Sequence, residues 1–87
     1  MSNPTVTIYR TAWCPYCQRA EALLASKSIP SLDTIDVDMV AGARATMVER
    51  TGRTSVPQIF IGDTHVGGCD DLMALERAGK LDALLAG

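Results

Sequence analysis

The hydrophobic pattern opens with Thr5 to Tyr9 (TVTIY), a stretch rich in β-branched and aromatic side chains that ends where the polar Arg10 and Thr11 begin, and it predicts a strand of period two. The period then changes. From Pro15 to Lys27 the apolar positions Ala20, Leu23 and Leu24 fall at i, i+3 and i+4, one face of a helix. Pro15 suits the first helical position, where its missing N–H would have had no partner. Ser28, Ile29 and Pro30 break that helix, and alternation returns from Leu32 to Val37 (LDTIDV) as a second strand. Asp38 is placed to cap a helix from Val40 to Thr51, with Val40, Ala43, Met47 and Val48 inward and Gly52 at its C-terminal stop. Val56 to Ile61 (VPQIFI) reads as a third strand, and Gly62–Asp63 as a tight turn into a fourth, Thr64 to Val66. Gly67–Gly68 then lead into a helix from Asp70 to Ala78, with Asp70 or Asp71 near its cap. Gly79 breaks it, and residues 80–86 (KLDALLA) form a last short helical turn.

The order β-α-β-α-β-β-α predicts an α/β fold: a four-stranded mixed sheet flanked by helices on both faces. Its first strand, helix and second strand form a parallel unit with a right-handed crossover, and the later hairpin adds antiparallel strands. There is no internal repeat, low-complexity tract or linker, so residues 1–87 are expected to be one domain. Hydrophobic residues make up 47% and charged ones 21%, enough for one modest core and a solvated surface. The net charge of −2, with lysines and arginines scattered, argues against nucleic-acid or membrane partners. No apolar run approaches the ~20 residues of a membrane span. The opening MSNPTVTIYR lacks the basic-then-apolar order of a signal peptide, so a cytoplasmic location is expected.

Chemistry concentrates in TAWCPYCQRAEALL, residues 11 to 24, where Cys14 and Cys17 flank Pro15 and Tyr16 at a helix start. Such a pair can be half a metal knuckle, a structural staple or a redox couple. A reducing cytosol disfavours the staple, and three cysteines are an odd number for a disulfide framework. Cys14, Cys17, His65 and Cys69 could formally ligate zinc, but Cys17 lies within an amphipathic helix and the chain needs no metal to fold. Placement favours the redox couple. At a helix start, free N–H groups and the helix dipole favour a thiolate on Cys14, which reads as an exposed attacking thiol. Cys17, three residues on and on the same face, is then the resolving thiol.

Once Cys14-Pro15-Tyr16-Cys17 is joined to Thr54-Ser55-Val56-Pro57 and to Gly67-Gly68-Cys69-Asp70-Asp71, the sequence resembles a glutaredoxin of the dithiol class. The match runs in order along nearly the whole chain, and the three motifs together are highly specific. The resemblance implies a thioredoxin-like fold, a cis peptide bond before Pro57 and glutathione as co-substrate, with no metal expected. It implies that the Ser55–Val56–Pro57 segment offers its backbone to the tripeptide. The γ-glutamyl carboxylate would meet the N–H groups around Gly68, Cys69 and Asp70, the side chain of Asp70 or Asp71 the ammonium group, and Tyr16 the cysteinyl part. One position departs from the family: a lysine is common three residues before the first cysteine, where this chain has Thr11. Arg10 is adjacent, but neighbours in an extended segment face opposite ways, so Arg53 is the candidate for the glycine carboxylate.

The implied activity is glutathione-dependent reduction of protein–glutathione mixed disulfides and protein disulfides by a monomer. The competing readings are a dimer sharing a glutathione-ligated 2Fe–2S cluster, against which Pro15 speaks, and an electron donor reduced by thioredoxin reductase. Of the remaining residues, Trp13 is read as either a substrate rim or a ring packed on its loop, and Tyr16 as accessible and functional. Cys69 is read as a small residue at a tight helix start, with glutathionylation or intermolecular pairing as the minority reading. His65 is expected to be a surface residue without a role, and Arg44, Arg50 and Arg77 to be solvated helix faces.

Overall fold

Four strands form one mixed sheet in the order β2-β1-β3-β4, in a computed structural model that describes residues 4–27, 29 and 32–86. The strands are β1 (Val6–Arg10), β2 (Leu32–Asp36), β3 (Gln58–Ile61) and β4 (Thr64–Gly67). The helices are α1 (Pro15–Ser26), α2 (Ala43–Thr51), α3 (Cys69–Arg77) and α4 (Leu81–Ala86). β1 pairs parallel with β2 and antiparallel with β3, which pairs antiparallel with β4. The mixed sheet expected from the element order is therefore present.

Strand alternation sorts the core into two layers. On one face Val6 and Ile8 of β1 and Ile59 and Ile61 of β3 pack with Ala20 and Leu24 of α1, Leu72 of α3, and Leu81 and Leu85 of α4. On the other, Tyr9 and Phe60 pack with Val37 and with Ala43 and Met47 of α2. β3 lies between two strands and under both layers, and all four of its residues are buried.

Most boundaries fall within two residues of the sequence expectation, and the exceptions have physical causes. α2 starts at Ala43, not Val40, and Asp38 does not cap it. The Asp36 carboxylate instead accepts from the Asp38 N–H (2.9 Å), and the Asp36 carbonyl accepts from Met39 and Val40. That closed turn carries the chain to Gly42, whose φ of 77° places it in the left-handed region just before the helix. Ala43 and Met47 face inward as expected, but Val40 and Val48 are exposed. β3 begins at Gln58, not Val56, because Pro57 has no N–H for the ladder; the Val56–Pro57 peptide is cis. Ile29 is described within the expected break, whereas Ser28 and Pro30 lie outside the described residues.

Candidate functional site

The site forms where three connections meet: the β1–α1 turn, the segment before β3, and the β4–α3 junction. Cys14 is the N-cap of α1 in an extended conformation (φ −109°, ψ 106°), with Pro15 at the first helical position. That backbone turns Sγ back over the helix, where it accepts the Cys17 N–H at 3.1 Å. A sulfur thus takes the place of the usual N-cap oxygen, at the end of the helix dipole that favours negative charge.

The inward turn also corrects an expectation. Cys14 is only 8% exposed rather than an open thiol, while Trp13 beside it is 93% exposed and Tyr16 is 57% exposed. Trp13 therefore does not pack on its loop. Cys17 is fully buried behind Cys14. Burial first, and the neighbouring Cys14 second, push the Cys17 thiol up to about 12. Two cysteines one helical turn apart are thus unequal.

Opposite Cys14, the Val56 carbonyl lies 3.9 Å from Sγ. Val56 belongs to the loop between α2 and β3, whose first end is tied by Thr51: its hydroxyl accepts the Arg53 N–H at 3.0 Å. Beyond the loop, β4 delivers Gly67 and Gly68 to the start of α3, and the two glycines differ. Gly67 has φ 115°, and a side chain there would run into the Asp71 carboxylate. Gly68 sits in extended backbone at φ −90° and caps α3. α3 starts one residue before the expected Asp70, and Asp71 does not head it: its carboxylate reaches back to accept the Gly68 N–H at 2.9 Å. This bond above all, with Arg53 also contributing, holds the Asp71 carboxyl below its usual range. The first N–H groups of α3 are left free of intrahelical partners.

These segments enclose a groove of about 250 Å³ lined by Tyr16, Arg53, Ser55, Val56, Pro57, Gly68, Cys69, Asp70 and Asp71, together with Gln58. All nine residues expected to meet the tripeptide, eight from the resemblance and Arg53 in place of the missing lysine, come together in one place. Arg53 and Asp71, assigned to opposite ends of that ligand, are instead paired with each other, the guanidinium donating to the carboxylate at 3.4 Å, so that pair has to part for each to take its own end. Arg10 is turned elsewhere, paired with Glu21 at 2.9 Å and Asp36 at 3.9 Å. Burial pushes the Cys69 thiol up. No group of three or more His, Cys, Asp or Glu side chains is placed to hold a metal among the described residues.

Sequence reasoning missed Gln58 and misplaced His65. Gln58 is 1% exposed; its amide donates to the Ser55 carbonyl at 3.0 Å, and its oxygen meets His65 Nε2 at 2.8 Å. His65 is half-buried and stacks on Phe60. The available signal was a polar residue inside an otherwise apolar strand, which must find partners when buried. Arg50 is likewise more than a solvated face: it lies 3.9 Å from the Phe60 ring centre and donates to the Tyr9 hydroxyl at 3.0 Å. Arg44 and Arg77 are exposed, as expected.

The sheet, its flanking helices and the placement of the two thiols give the protein a thioredoxin-like fold with a thiol-reactive site. The glutaredoxin family model matches residues 6–66, and the chain belongs to that family. It is 59% identical over 83 residues to a glutaredoxin of Pseudomonas aeruginosa, covering 95% of this chain and 98% of that one. To glutaredoxin 3 of Escherichia coli it is 54% identical over 80 residues, covering 92% and 95%. The crystal structure of a buckwheat glutaredoxin–glutathione complex superposes with a TM-score of 0.85 at 34% identity, over 95% of this chain and 76% of that one. Family membership makes the protein a thiol oxidoreductase. No helix among the described residues is long and apolar enough to cross a membrane.

Proposed function

We propose that the protein is a glutathione-dependent thiol–disulfide oxidoreductase that removes glutathione from mixed disulfides and reduces protein disulfides. The observation that carries this reading is the groove beside Cys14, which combines free helix N–H groups, a carboxylate, an arginine and an open backbone segment. Glutathione has two carboxylates, one ammonium group and a peptide backbone, and each has a partner of the right kind there. The buckwheat relative in complex with glutathione supports the same reading.

In this mechanism the Cys14 thiolate attacks the glutathione sulfur of a protein–glutathione disulfide. A Cys14–glutathione disulfide forms, and the protein sulfur leaves and takes a proton. The thiolate of a second glutathione then attacks the glutathione sulfur, releasing oxidised glutathione and restoring the Cys14 thiolate. On a protein disulfide, Cys14 attacks first and Cys17 displaces the substrate, leaving a Cys14–Cys17 disulfide that two glutathiones reduce. Cys17 loses its proton only during that displacement, consistent with its raised pKa. Protein substrates would meet the exposed Trp13 and Tyr16 beside the groove.

The test is a deglutathionylation assay on two variants. Cys14→Ser is expected to abolish turnover, and Cys17→Ser to keep most of it, because that reaction needs no resolving thiol. Equal loss in both would refute the division of roles; wild-type turnover in Cys14→Ser would refute the reading as a whole.

A further inference from the structure

The loop that faces Cys14 is held by a polar chain centred on the buried Gln58, outside the catalytic pair. Gln58 Nε2 donates to the Ser55 carbonyl at 3.0 Å and lies 3.3 Å from the Ser55 hydroxyl, while Gln58 Oε1 stands 2.8 Å from His65 Nε2. The directions are fixed by chemistry. A carbonyl oxygen only accepts, so the amide nitrogen must face Ser55, and the amide oxygen then requires the proton on His65 Nε2. The register explains the reach. Gln58, Phe60 and His65 share one face of the β3–β4 pair, with His65 opposite Phe60 and diagonal to Gln58. Stacking on Phe60, at 5.0 Å between ring centres, fixes the imidazole.

A buried amide is costly without partners, and an apolar residue would fill this core position more simply. Gln58 instead ties the paired strand β4 to the residue that precedes Val56, whose carbonyl faces the Cys14 sulfur. We propose that Gln58 and His65 are positioning residues, which hold the Ser55–Val56 backbone where the glutathionyl group must lie against it. This rests on the glutathione reading of the groove. The chain sets how well the tripeptide is bound, not the reactivity of Cys14.

Steady-state kinetics of the full chain on a glutathionylated peptide test this with Gln58→Leu, His65→Leu and His65→Gln. Gln58→Leu is expected to raise KM about tenfold and change kcat less than about twofold, since it leaves the Ser55 carbonyl without its buried donor. His65→Leu raises KM about threefold. His65→Gln places an amide N–H near the lost Nε2–H and returns KM to near the wild-type value. Should Gln58→Leu not fold, the His65 pair decides alone. A saturable wild type with KM unchanged in the variants overturns the positioning role and leaves the glutathione reading standing. His65→Gln behaving like His65→Leu overturns the role equally. A wild-type chain with no activity on the peptide overturns the glutathione reading, and the positioning role with it.

Discussion

At the scale of single residues, reactivity here is decided by a few ångströms of depth. Cys17 lies one turn into α1 with no exposed surface, and burial above all pushes its thiol up to about 12, so little of it is thiolate at neutral pH. Cys69 is also pushed up, first by burial. Only Cys14 has its sulfur at the helix start with a backbone N–H aimed at it. Iodoacetamide at pH 7 should therefore alkylate Cys14 of the reduced protein first, with Cys17 clearly slower. Peptide mass mapping over time reads this directly, and equal labelling of the two would refute the inequality. The inequality was legible in the sequence, because three residues of helix put one thiol at the start and the other a turn inside. The depth of Cys14 was not, since it depends on the extended backbone that folds Sγ back onto Cys17. Gln58 was half legible: its chain neighbours mark it as a buried polar group, but only the strand register names His65 and Ser55 as partners.

At the scale of elements, the start of α3 depends on one glycine and one carboxylate. Gly67 adopts φ 115°, which L side chains rarely do, and any Cβ there meets the Asp71 carboxylate that holds the Gly68 N–H. Gly67→Ala should cost about 1–3 kcal/mol in urea unfolding and weaken glutathione binding. Gly68→Ala should cost less, because its backbone is extended and its nearest neighbour, the Pro57 carbonyl, is at 3.5 Å. Asp71 adds a pH signature. Its folded pKa lies below the unfolded value, so its contribution is present above the ordinary carboxylate pKa of ~3.9 and is lost as pH falls through the folded value. Asp71→Asn should thus cost about 0.5–1 kcal/mol at pH 7, at the low end for a cap because the side chain is half exposed, and progressively less as pH falls through the folded value. A cost that stays constant from pH 7 to pH 2 would refute the charge-based account. The motif showed that two glycines and two aspartates start this helix, but not which does what. The α2 boundary was misread for a related reason: Asp38 has capping chemistry, whereas the turn is closed by Asp36 and the helix begins only after left-handed Gly42.

At the scale of the whole molecule, β1 and β3 carry the pairing and the helices lock the sheet from outside. The mixed sheet was legible because element order dictates which neighbours can be parallel. The way the helices lock together was not, because it depends on charges far apart in sequence. Lys27, the C-cap of α1, places Nζ 2.7 Å from Glu76 on α3 and 3.0 Å from Asp82 on α4. α4 adds the buried Leu81 and Leu85 to the main core, so this ammonium sits over the seam of three helices. Magnitudes decide which contact matters more. Leu81→Ala removes a fully buried side chain and should cost about 2–5 kcal/mol, enough to consume much of the stability of a small domain. Lys27→Met keeps the apolar stem and removes only the charge, so its effect at pH 7 should be clearly smaller. The sign of its pH dependence is fixed. Bonding to Glu76 first, then to Asp82, raises the Lys27 pKa, so its contribution is complete below the unfolded value of ~10.4 and is lost as pH rises through the folded one. Thermal unfolding of wild type and Lys27→Met should therefore differ at pH 7 and converge as the pH rises past the folded pKa, the comparison cancelling the other groups that titrate there. Added salt at pH 7 should narrow the same gap. A gap that survives both high salt and alkali would mean that Lys27 holds the three helices through its hydrocarbon stem and not its charge.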